Sequence, residues 1–164
     1  MNGSSIKLLN LVISQLMIRI DYPKHEFRIQ KREGNEIIFD ELRKRWVALT
    51  PEEWVRQNFL QYMILQKQYP RSLIAVEKLI LLGDLKKRFD ILLYNMQQQP
   101  WMIVECKAMS VELSEGVLNQ VLRYNIAVPA SFLVITNGND TFAWARQGSG
   151  MLELSELPEW GVGV

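Results

Sequence analysis

The stretch Trp101 to Lys107, WMIVECK, constrains this chain more than any other. Met102, Ile103 and Val104 run without a polar break, the pattern of a strand covered on both faces. Glu105 and Lys107 follow two positions apart, so on a strand they share a face while Cys106 points to the other. Ionised groups at the end of a buried strand cost free energy unless they are paired, hydrated or holding a metal. The fold must therefore cover this strand on both sides and give its terminal charges a purpose.

The neighbouring sequence supplies strands to pair with it. Leu73 to Leu82, with Glu77 and Lys78 inside it, reads as β, and Gly83-Asp84 as a tight turn. Arg88 to Tyr94, RFDILLY, is a second strand, and Asn95 to Pro100 a polar turn into the third. Short connections make these an antiparallel meander. A two-residue turn at Gly83-Asp84 sets Glu77 opposite Asp90, and a symmetric turn centred on Gln97-Gln98 sets Asp90 opposite Glu105. Three carboxylates then fall on one face with Lys107 beside them. Directly opposed like charges destabilise a sheet, but they make sense around a divalent cation. The plain alternative is a salt-bridged surface in which Lys107 neutralises Glu105. Burial of the strand and convergence of two further acids argue against it. Cys106 reads as a small apolar filler on the opposite face.

Helices flank the meander. Thr50-Pro51-Glu52-Glu53 combines an N-cap threonine, a proline at the first helical position and a glutamate three residues after the cap. The helix is predicted from Pro51 to Lys67, with Val55, Phe59, Leu60, Met63 and Ile64 as its apolar stripe. Glu53 is a weaker candidate for the site, because capping accounts for it. A second helix is predicted from Ser114 to Val128, ended by Pro129, and sets Gln120 and Tyr124 one turn apart. Ser131 to Thr136 is a buried strand and Thr141 to Arg146 a closing one. Ahead of the first helix, Glu26 to Gln30, Glu36 to Asp40 and Trp46 to Leu49 read as short strands. The basic run Arg43-Lys44-Arg45 reads as a solvated face or a phosphate contact.

This divides the chain into an extension over 1–20, one domain over 21–147 and a loosely docked tail over 148–164. Composition narrows the chemistry. With 19 basic and 18 acidic residues among 164, nucleic-acid affinity must come from local charge patterning. One cysteine excludes an internal disulfide and a multi-cysteine zinc site, which fits a reducing cytoplasm. The single histidine, His25, is expected in a loop. Ile6 to Ile20 is too short and too polar to span a bilayer, so no membrane partner is expected.

With the order helix, three strands, helix, strand in place, Asp90 followed by Glu105-Cys106-Lys107 resembles the PD-(D/E)XK nuclease superfamily, with RFD in place of Pro-Asp. Gln120-x-x-x-Tyr124 is similar to the Gln-x-x-x-Tyr element of its RecB-like members and of the amino-terminal nuclease domain of type I restriction enzyme R subunits. LTPEEWVRQ, IAVEK, VECKA and VITNG look close to small stand-alone proteins named after that domain. The resemblance covers about Asp21 to Arg146 and implies an α/β (α+β) core of order αβββαβ, a mixed central sheet flanked by helices. Relatives usually start near DYPKHEF, so Met17 is the expected initiator.

The resemblance further implies Mg²⁺- or Mn²⁺-dependent hydrolysis of DNA phosphodiesters. Asp90 and Glu105 would be the ligands, with the Cys106 carbonyl and Glu77 as further ones. Lys107 would handle the water and the scissile phosphate, and Gln120 and Tyr124 would position the DNA. The chain has no room for the R subunit's motor and shows no helix-turn-helix or zinc finger. Either action on DNA ends, branches or flaps, or a protein partner supplying motor or specificity, is therefore expected. Two other classes remain open at this point: a non-catalytic nucleic-acid-binding or scaffold module on the same fold, and an interaction domain built around Trp46 and Trp54.

Overall fold

A computed structural model describes residues 16–161 of the chain. Most of the expected extension, residues 1–15, lies outside what it describes. Residues 16–20 are not frayed. Ile18 is buried, and its N–H donates to the Thr141 carbonyl at 2.8 Å.

Three short strands form a sheet of their own: β1 (Ile29–Arg32), β2 (Asn35–Asp40) and β3 (Arg45–Ala48), in that order. The β1–β2 turn places Glu33 and Gly34 at φ of 51° and 82°, the left-handed pair that a two-residue hairpin requires. The first strand starts at Ile29 instead of Glu26.

Helix α1 (Pro51–Gln61) opens on the expected cap, Thr50 Oγ1 accepting from the Glu53 N–H at 3.0 Å. Its stripe carries on through a π turn over Tyr62–Gln66. The larger sheet follows: β4 (Ile74–Leu82), β5 (Leu85–Tyr94), β6 (Pro100–Cys106), then, after helix α2 (Glu115–Asn125), β7 (Phe132–Thr136), β8 (Thr141–Gln147) and β9 (Gly150–Leu154). The six strands lie in chain order, antiparallel except for β6 and β7, which α2 connects in parallel. The result is a mixed α+β domain with a mixed sheet.

Alternation along β6 explains its unbroken apolar run. Met102, Val104 and Cys106 pack with Val55, Phe59, Leu60 and Met63 of α1. Ile103 packs with Leu118, Val121 and Leu122 of α2. A helix thus covers each face, and each fully buried aliphatic side chain contributes about 1.5–3 kcal/mol. Cys106 is the expected filler, wholly buried in the α1-side core.

The register follows the turns. Val76 pairs with Ile91 and Lys78 with Phe89, which leaves Glu77 opposite Asp90. Ile91 pairs with Val104 and Leu92 with Ile103, and the same register carried one residue beyond this paired stretch sets Asp90 opposite Glu105.

The tail is a correction. Far from being loosely docked, residues 148–161 complete the domain. β9 pairs along β8, with Ala143 against Leu154 and Gln147 against Gly150. Leu157 is buried in the α1-side core, the Tyr69 hydroxyl donates to the Pro158 carbonyl at 2.6 Å, and Trp160 meets Trp101 edge to face at 5.0 Å. The apolar side chains that looked like short isolated clusters cover the start of β6.

Candidate active site

Asp90, midway along β5, and Glu105, one residue before the end of β6, meet across the two strands. The carboxyl groups hydrogen-bond to each other, and Asp90 Oδ2 also accepts from the Cys106 N–H at 2.8 Å. Burial, then the hydrogen bond to Asp90 and its charge, push Glu105 up to about 8, with Lys107 pulling the other way. Burial works against ionisation of Asp90 too. The hydrogen bond from Glu105, the Arg56 charge and the Cys106 N–H together hold it below the ordinary carboxylate range. The pair is one charge and one shared proton near neutrality, as two close carboxyls must be.

Arg56, on the second turn of α1, holds this pair from one side. It is 4% exposed. Its Nη2 donates to Asp90 Oδ1 at 2.6 Å and lies 2.8 Å from Glu77 Oε1, while Nη1 donates to Glu53. Burial opposes its charge, yet Asp90 and Glu53 more than offset that and raise its pKa above the ordinary arginine value. Glu52, one turn before Arg56 on α1, faces the same cluster and is pushed up by burial and by Asp90.

Glu53 does more than cap. Its backbone N–H binds Thr50, but its carboxylate turns inward to Arg56, to Arg43 Nη2 at 2.5 Å and to the Gln57 amide at 2.8 Å. Arg43 is neither a solvated charge nor a free phosphate contact, since it also binds Asp40 Oδ2 at 2.6 Å. Glu77 stands at φ 53°, a left-handed conformation that costs a non-glycine residue about 1–3 kcal/mol and concentrates at working sites. Its oxygens are committed to Arg56 at 2.8 Å and to Arg88 at 2.9 Å. A guanidinium thus faces each of its oxygens.

The α2 flank is different. Gln120 and Tyr124 are exposed one turn apart, and Asn125 reaches the Glu105 carboxyl from the same helix. Lys87 of β5 is 1% exposed, and its ammonium lies 3.6 Å from the centroid of the Tyr124 ring without a hydrogen-bond partner. Burial lowers its pKa, with the Glu105 charge opposing. Lys107 stands just past β6, its N–H held by the Thr136 carbonyl at 2.8 Å. Its charge acts on Glu105 and Glu52, and no ion pair to it is found among the described residues.

Asp90, Glu105 and Lys107 therefore come together, with Tyr124 and Gln120 on the α2 side. Arg56, Glu52, Lys87 and Asn125 join them without having been singled out by sequence. Among the described residues, no three histidine, cysteine, aspartate or glutamate side chains form a preformed metal cage. The donors that do meet are two carboxyls, which share a hydrogen bond and so approach a common point. Such a sparse set of hard oxygens suits an ion like Mg²⁺, which keeps most of its waters and takes one or two carboxylates.

No helix among the described residues is long and apolar enough to cross a membrane. Among curated proteins, none matches the chain. The family model described as type I restriction enzyme R protein N terminus (HSDR_N) matches residues 51–158, from the first turn of α1 to the docked tail. That span holds both helices, the whole larger sheet and all the groups around the acid pair, and the chain belongs to this family.

Proposed function

We propose that the domain is a Mg²⁺- or Mn²⁺-dependent deoxyribonuclease of the PD-(D/E)XK type, serving restriction of DNA together with a partner that supplies motor or specificity. The observation that carries this reading is the hydrogen-bonded Asp90–Glu105 pair between β5 and β6, with Lys107, free of ion pairs among the described residues, two residues past Glu105. Family membership supports the restriction role and DNA as the partner.

Asp90, Glu105 and the Cys106 carbonyl would hold the ion, with Glu105 giving up its shared proton as it does so. The bound ion would supply an acidified water and charge to offset that developing on the phosphorus oxygens. Arg56 fixes Asp90 through Oδ1, so that carboxylate cannot rotate away. Lys107 orients the attacking water and pairs with the scissile phosphate, a use that its freedom from carboxylate partners allows. Gln120 and Tyr124 hold the strand along α2. A reducing cytoplasm is the compartment that this reading and the lone buried cysteine suit.

Cleavage of single-stranded, duplex and branched DNA with Mg²⁺ or Mn²⁺ tests the proposal. Asp90→Ala and Lys107→Ala are each expected to lower the rate by at least about a hundredfold while leaving the fold intact, as loss of a transition-state contact does. Full cleavage by either variant would remove the mechanism. Absence of both cleavage and divalent-cation binding in the wild-type chain would leave a non-catalytic binding module.

A further inference from the structure

Lys87 is the one cation at the acid pair that the mechanism above does not use. A lysine normally keeps its charged head in water while its stem covers apolar surface. Here the head itself is covered, in a residue 1% exposed, and it finds no oxygen to bind. Its nearest described company is aromatic: the Tyr124 ring at 3.6 Å and the Phe89 ring at 5.7 Å. A ring face attracts an ammonium more weakly than an anionic oxygen does, so this seat is given up readily to a phosphate.

The cover is thin. Tyr124 is 53% exposed, on the outer side of α2, and it is one of the two residues proposed to hold the DNA strand. Two ammonium groups share an electrostatic interaction with Glu105: Lys107, just past β6, which also acts on Glu52 of α1, and Lys87, whose ammonium lies under the Tyr124 ring of α2. A phosphate at Lys107 and a phosphate at Lys87 would therefore both lie near the same carboxyl, as neighbouring phosphates of one strand at the site do.

The geometry points to Lys87 as a second phosphate-binding cation, taking a backbone phosphate next to the scissile one when nucleic acid displaces the Tyr124 ring from its ammonium. This rests on the nuclease reading for the identity of the strand, but the contact itself needs only a polyanion of nucleic-acid spacing. Lys87 is a substrate-positioning residue in this scheme, not one that touches the reacting atoms.

The test is binding of a fluorescent oligonucleotide in Ca²⁺, measured by anisotropy across a salt series. Lys87→Met keeps the stem's bulk and removes the charge. It is expected to weaken binding roughly tenfold at 0.1 M salt and to flatten the slope of log K against log salt by about 0.7 to 0.9, the signature of one lost phosphate contact. Lys87→Arg should restore both. The melting temperature of Lys87→Met should stay level or rise, because a buried ammonium without a hydrogen bond leaves the fold. Unchanged affinity and slope in Lys87→Met would overturn the assignment. So would a lower melting temperature with the slope intact, which marks a purely structural lysine. Hydrolysis of bis(p-nitrophenyl) phosphate by the wild-type chain reports separately on the nuclease reading. If that fails while the slope change holds, the phosphate contact stands without the chemistry. If the wild-type chain binds no nucleic acid at all, both fall.

Discussion

The two flanks of the acid pair are built on opposite principles. On the α1 flank every charge has a partner: Arg56 closes on Glu53, Glu77 and Asp90, Arg43 bridges Asp40 and Glu53, and the Gln57 amide binds the same two acids. On the α2 flank the polar groups are left over. Lys87 rests on a ring, Asn125 Oδ1 is buried without a partner, and Gln120 and Tyr124 face outward. The cations differ accordingly. Guanidinium forks, planar and permanently charged, hold the ion-paired side, although the Arg56 Nε is itself buried without a partner, while compact ammonium groups stand on the open one. A network of ion pairs fixes geometry; unpaired ammonium groups keep their capacity for an incoming anion.

The contrast breaks most visibly at Arg56. Replacing it with leucine leaves Asp90 without its cation and strips Glu53 and Glu77 of the guanidinium they share, with only Arg43 left on the one and Arg88 on the other. Removing one partner of a buried pair costs about 3–5 kcal/mol, a large share of a domain's whole stability. Urea denaturation of Arg56→Leu without divalent cations should show a loss of that size. A loss below about 1 kcal/mol would mean that the α1 flank is not the scaffold described here.

Glu105 sharpens the comparison, since it belongs to both flanks. Its folded pKa of about 8 lies above the 4.5 of an unperturbed glutamate. The proton therefore favours the folded state: this contribution is full below pH 4.5 and is lost as pH rises to about 8. Glu105→Gln retains a donor toward Asp90 and should flatten that part of the melting-temperature profile. Divalent cations act in the opposite sense, because they compete with the shared proton. Their apparent affinity should rise by up to about tenfold per pH unit below pH 8, with one proton released on binding. Calorimetry in two buffers of different ionisation heat measures that release. Parallel melting profiles for wild type and Glu105→Gln would show that Glu105 does not carry the proton.

How much of this was legible depended on whether turns or tertiary contacts set the feature. The Gly83-Asp84 turn fixed the β4–β5 register, and the side-chain period of two then set Glu77 against Asp90 without any knowledge of the fold. Arg56 had a signal that went unread. It lies three, four and seven residues before Phe59, Leu60 and Met63, on the buried stripe of α1, where a charged residue needs a hidden partner. Glu53 was assigned to the cap because its backbone does belong there; only the packing of α1 against β5 shows where its carboxylate turns. A strand expected only from Arg88 leaves Lys87 outside it. The basic run Lys86-Lys87-Arg88 masked a strand that in fact starts at Leu85. The tail's role could not be read locally, since Leu157 and Trp160 acquire their meaning from Tyr69 and Trp101, far away in sequence.

The smallest expected effect isolates burial as the cause of the difference between cations. Glu77 binds two guanidiniums at nearly equal distance, Arg56 at 2.8 Å and Arg88 at 2.9 Å. Distance alone would make the two bonds equivalent. Arg88, however, has a side chain 69% exposed, so water and salt screen its attraction, and holding a long side chain in place costs rotamer entropy. Arg88→Ala should therefore change stability by less than about 1 kcal/mol, and by less still at high salt, against the several kcal/mol expected for Arg56→Leu. Urea denaturation of both variants at low and high salt checks the ratio. Comparable losses would place the exposed arginine in the scaffold too, and the α1 network would then extend to the outer edge of β5.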